Sequence, residues 1–261
     1  MAVERTDKWL KECNYHPQEV CRELAPFFEK AKGKELLYYL QQNGMYNSTI
    51  QGERECKLLV EEDVWSKVEK LNEKYKERWS GPDVPIFIFP YKKHAFFMRG
   101  HFKSGLAFLD KLFLFLSPKL NEHQLEALFI HEYHHVCRLR KQEKPIGEYT
   151  VGDAIILEGL AEYAVQTIKG EKFLAPWTKQ YSSEFLRSYW DSTFKNQLLV
   201  QKGEKKHDRI IYGRGNYPAM IGYCMGFYLV EHYAEVDCFS TKTSFSIPSE
   251  RIIDNYRQKQ T

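Results

Sequence analysis

Two short apolar runs without helical period interrupt a chain that is otherwise patterned for helices. Pro-Ile-Phe-Ile-Phe occupies 85–89 and Lys-Leu-Phe-Leu-Phe-Leu occupies 111–116. Each is too short for a typical helix, is rich in strand-forming residues, and is bounded by turn signals, Ser80-Gly81-Pro82 before the first and Ser117-Pro118 after the second. Weaker strand signals at 94–99 and 105–109 complete a predicted sheet of roughly three to five strands.

Helical patterning dominates on both sides. Val64, Val68, Leu71 and Tyr75 form a stripe at i, i+4, i+7 and i+11, which predicts an amphipathic helix over 61–79. Shorter helices are predicted at 17–31, restarting near Pro26, and at 33–42, where Asn43-Gly44 is a C-terminal stop. Downstream, Asn121 with Gln124 three positions on is a capping box for a helix running to about Arg140. A further helix spans 151–169 and stops at Gly170. The uncharged stretch 217–230 reads as a buried helix, too short to cross a bilayer. Helices, then strands, then helices make an α+β chain, divided here into a helical N-terminal region, 1–82, and a second region, 83–261.

Charge and cysteine usage narrow the function classes. Lys and Arg number 38 against 35 Asp and Glu, a net charge of +3. Such a balance gives no reason to expect a nucleic-acid partner. The N-terminal Met-Ala-Val-Glu-Arg-Thr-Asp-Lys lacks the apolar core of a secretory signal. Six scattered cysteines form no C-x-x-C pair, so reduced thiols in a cytoplasmic setting are the expectation, and a cysteine-built zinc site is not.

The chemistry concentrates at His131-Glu132-Tyr133-His134-His135. On a helix, residues four apart lie about 40° apart in azimuth and one turn along the axis. His131 and His135 can therefore meet at one ion, with Glu132 beside them and able to reach a water there. This H-E-x-x-H spacing is the one metalloproteases use. His134 lies about 100° from His135 and faces elsewhere. A catalytic zinc needs a third protein ligand and an open position. Downstream, Glu158-Gly159-Leu160-Ala161-Glu162-Tyr163 offers two carboxylates one turn apart.

From the strand at 111–116 to Tyr163, the chain resembles the gluzincin branch of zinc metallopeptidases. More narrowly it is similar to a bacterial family of predicted zinc-dependent proteases of unassigned function. The resemblance implies a zincin-like fold and one zinc per chain. His131, His135 and Glu158 would be the metal ligands, with Glu162 the rival for the third place. Glu132 would be the general base toward a zinc-activated water. Glu162, if not a ligand, would orient a ligand histidine. The strand over 112–116 would be the sheet's edge, where an extended peptide substrate can pair. An oxyanion donor is expected from the C-terminal part, among His207, Tyr212, Tyr217 and Tyr223, with Tyr223 preferred. Close helix packing at Gly222-x-x-x-Gly226 is the other expectation for that segment.

Two further readings compete. A di-metal helical bundle would pair Glu132-x-x-His135 with Glu204-x-x-His207, and the predicted strands oppose it. A non-catalytic zincin scaffold with a structural zinc would leave Glu132 and the open coordination position without purpose.

Overall fold

The computed structural model describes residues 2–28, 33–92 and 103–259. The strand expected at 94–99 lies outside the described residues, as does the end of the helix expected over 17–31. The chain divides into two units, Met1–Val136 and Cys137–Thr261.

The first unit opens with helices α1 (Thr6–Glu12), α2 (Pro17–Glu23), α3 (Lys34–Gln42), α4 (Thr49–Glu61) and α5 (Val64–Trp79). Three strands follow, β1 (Ile86–Pro90), β2 (Lys103–Ala107) and β3 (Leu112–Leu116), and then α6 (Glu122–Gln142), within which the unit boundary falls. The sheet order is β1-β3-β2, with β1 parallel and β2 antiparallel to β3. Every residue of β1 and β3 is buried. Phe87 and Phe113 stack across the parallel pair with ring centroids 4.8 Å apart.

This order corrects one expectation. The strand at Leu112–Leu116 is central, not an edge, among the described residues. Its apolar side chains at every position suit a strand covered on both faces and paired on both sides. Among the described residues the outer places go to β1 and β2; β1 is bridged on its outer side by Val3 at Ile86, while β2 carries Gly105, a poor strand former.

Helix α5 fixes α6 within this unit. Tyr75 lies 6.0 Å from Phe129, and Trp79 stacks on Tyr133 at 5.9 Å. The Tyr75 hydroxyl and the Lys74 ammonium both donate to Glu126 Oε1, at 2.9 and 2.6 Å. The Tyr133 hydroxyl donates to the Pro82 carbonyl at 2.8 Å. The predicted capping box starts α6: Gln124 N–H donates to Asn121 Oδ1 at 2.9 Å, and Asn121 N–H to Gln124 Oε1 at 3.2 Å.

Among its described residues, the second unit is helical: α7 (Val151–Lys169), α8 (Ser183–Ser192), α9 (Lys205–Tyr212), α10 (Ile221–Ala234), α11 (Thr241–Ser244) and α12 (Ser249–Gln258). Its core gathers Ile155, Ile156, Trp190, Phe194, Leu229 and Ile252. Helices α7 and α10 touch backbone to backbone. A Cβ placed on Gly226 would sit 1.8 Å from the Ile155 carbonyl oxygen, and one on Gly159 would sit 2.3 Å from the Gly226 carbonyl oxygen. Gly222 packs likewise on Ile211. The close packing expected of Gly222-x-x-x-Gly226 is therefore present. No described helix is long and apolar enough to cross a membrane.

Candidate metal centre

Helix α6 presents a chemically loaded turn. The His131 and His135 rings meet edge to face, with centroids 4.6 Å apart and planes at 88°. His135 and Glu132 are buried, and His131 is half-buried. His134 is wholly buried, edge-on to Trp79 at 6.2 Å. It is not part of the metal cluster, in keeping with its azimuth about 100° from His135.

One nitrogen of His131, one of His135 and one carboxylate oxygen of Glu158 all lie within 4.8 Å of one another. Three atoms within that distance of one another can reach one ion. Two imidazoles and one carboxylate are also the donor set of a zinc site with its fourth position open. The residues present fit the ion. The carboxylate in this cluster is Glu158, not Glu162.

Glu158 is held by the turn geometry of α7. Thr150 caps that helix in a reciprocal box with Asp153: the Thr150 N–H donates to Asp153 Oδ2 at 2.9 Å, and the Asp153 N–H to Thr150 Oγ1 at 3.3 Å. Lys144 adds a bond to the same oxygen at 2.8 Å. Burial pushes the Asp153 carboxyl up, but Lys144 and Thr150 outweigh it and hold the group below its ordinary value. Gly159, next to Glu158, lies against the α10 backbone, which leaves the carboxylate-bearing turn little freedom to shift.

The remaining expected site residues lie as follows. Glu162 is buried, and one of its oxygens accepts the Ala175 N–H. Tyr223 sits on α10, its ring 5.3 Å from Trp177 and 5.8 Å from Tyr212. Among the other donor candidates, Tyr212 and Tyr217 are partly exposed, and His207 is buried with Nδ1 2.9 Å from Asp208 Oδ1. Glu204 accepts the Gln201 N–H at 2.7 Å, and neither it nor His207 joins the metal cluster. That arrangement and the sheet leave the bundle reading without support.

Two neighbours of the site carried no sequence signal strong enough to single them out. Arg138, one turn past His135, is 2% exposed and donates to the Ser244 carbonyl at 2.6 Å and to Ser249 Oγ at 3.2 Å. Burial lowers its guanidinium to about 10. Gly105 of β2 lies against Glu132. Its only signal in the sequence is a glycine inside a strand pattern, which marks a bulge or a close approach.

Comparison with known proteins agrees with this geometry. A family model described as "Predicted Zn-dependent protease (DUF2268)" matches residues 64–254. The chain belongs to this family. It is 36% identical over 259 residues to the uncharacterized protein YjaZ of Bacillus subtilis (strain 168), covering 97% of this chain and 99% of that one. A second Bacillus subtilis protein, the uncharacterized YjfC, is 28% identical over 120 residues, 42% of this chain and 40% of its own length. No solved structure matches the chain. The family match spans the whole of α6 and α7, and so every residue of the cluster.

Proposed function

We propose that the protein is a zinc metallopeptidase with a zincin-like catalytic region, holding one zinc per chain on His131, His135 and Glu158. The observation that carries this reading is the convergence of those three donors, with Glu132 on the same helix turn as the two histidines. When bound there, zinc supplies a Lewis acid that acidifies water and polarises a carbonyl.

The chain's own residues do the rest. Glu132 takes the proton from the attacking water and delivers it to the leaving amine. Its burial keeps bulk water from competing for that proton and strengthens its local field. Tyr223 is the proposed hydroxyl donor to the oxygen on which negative charge develops. Glu162 supports from the next turn of α7, steadying a ligand imidazole through the oxygen that does not accept from Ala175. An extended peptide adds to β2, an outer strand among the described residues, because β3 is already paired on both sides and the outer side of β1 is bridged at Ile86 by Val3.

The test is zinc content by mass spectrometry on protein purified without chelator, paired with a peptide-library digest. About one zinc per chain is expected in the wild type, lost in His135→Ala and in Glu158→Ala. Glu132→Gln should retain the metal while turnover falls by roughly 10²–10⁴-fold. Loss of zinc from Glu132→Gln would overturn its assignment as base. Zinc retained by Glu158→Ala would move the third ligand elsewhere.

A further inference from the structure

Gly105 lies where no side chain fits. A Cβ built on it would stand 2.2 Å from both Cγ and Cδ of Glu132 and 2.5 Å from Oε1. Carbon atoms in ordinary contact stay ~3.5–4 Å apart. Backbone conformation does not explain the glycine, because Gly105 is absent from the positive-φ positions and sits in regular antiparallel register opposite Leu114. Local strength does not explain it either, since glycine weakens a strand relative to alanine. What remains is space, and the space is filled by the carboxylate arm of Glu132.

The atoms that a side chain at 105 would strike belong to the far end of a flexible side chain, not to backbone. Relief therefore comes from rotating Glu132, not from separating β2 and α6. Glu132 is 8% exposed, so its buried arm has few other directions to take. We infer that Gly105 is the positioning residue for Glu132: the bare backbone of β2 is the wall that sets where the carboxylate lies. The inference rests on the reading of Glu132 as the general base. It adds that the base is aimed by the strand proposed to bind the substrate, which couples peptide register to proton transfer.

The experiment is Gly105→Ala, made in the full chain and measured three ways. Zinc per chain should stay at the wild-type value, and the melting temperature should move by no more than about a few degrees, because strand propensity favours alanine while the crowding at Glu132 opposes it. With peptide substrate, kcat should drop on the order of 100-fold while KM stays within about twofold, the signature of a lost transition-state contact. A crystal structure of the variant should show the Glu132 carboxyl swung away from its wild-type position. Turnover at the wild-type level, or a Glu132 carboxyl left in place while β2 moves off, would overturn the proposal. If the zinc-loaded wild type cleaves no peptide, the peptidase reading fails on its own, and the crystal structure still decides whether Gly105 sets the position of Glu132.

Discussion

A Cβ on Gly105 would strike the end of a carboxylate side chain, whereas a Cβ on Gly226 would strike the carbonyl of Ile155, 1.8 Å away. Both glycines mark a contact closer than side chains allow, yet what stands opposite differs. The β2 and α6 contact in the first unit has a soft partner that can rotate. The α7 and α10 contact in the second has backbone on both sides. The first contact can yield at a side chain; the second can yield only by moving backbone. The buried faces of the two helices differ as well: the part of α6 in the first unit buries Glu132, His134 and His135, while α10 buries almost nothing but apolar side chains and glycine.

The sharpest way to break this contrast is to make the same change in the second contact. Gly226→Ala should cost about 3 kcal/mol or more, because neither helix backbone can yield without parting the pair. Denaturant melts would show it, and zinc content would fall in step with the folded fraction. If Gly226→Ala proved as stable as the wild type, the rigid half of the comparison would be lost.

Next in size is Arg138→Met, which asks whether the C-terminal half of α6 depends on polar anchoring. Methionine keeps most of the volume but leaves the Ser244 carbonyl without this donor. A loss of about 2 kcal/mol is expected, the range for a buried hydrogen bond from a charged group. Should the variant instead gain stability, as hydrophobic replacements of buried charges sometimes do, the guanidinium would have to be counted as a cost of the fold.

How much of this was legible beforehand varies with the range of the interaction. The bounds of α7 follow from Gly170, and the start of α6 from Asn121 and Gln124, because caps are local. The meeting of His131 and His135 was legible for the same reason, since four-residue spacing puts two side chains on one face of a helix. The place of β3 was not, because strand order is set by pairing between residues far apart in sequence. The break between α4 and α5 was also hidden. It turns on Asp63 adopting a left-handed conformation, which that residue only sometimes takes. Glycine at 105 could be read as a weak point of a strand, but its partner Glu132 lies 27 positions away in sequence, and nothing local names it.

The smallest expected effect lies at the start of α7, the helix that carries Glu158. Asp153 closes the capping box with Thr150 and pairs with Lys144, and these contacts hold its carboxyl below the ordinary value despite burial. A carboxyl depressed in the folded state contributes stability that is fully present above its unfolded pKa of ~3.9 and is lost as pH falls through the lower folded value. Asp153→Asn keeps the shape and removes the charge. It should cost about 1 kcal/mol at pH 7, within the range for capping residues. Urea melts of both proteins should converge as the pH is lowered below ~4, because wild-type Asp153 is then being neutralised as well. A gap that stayed constant down to the acid transition would mean that shape, not charge, secures this end of α7. The turn bearing Glu158 would then be held chiefly by the Gly159 contact with α10.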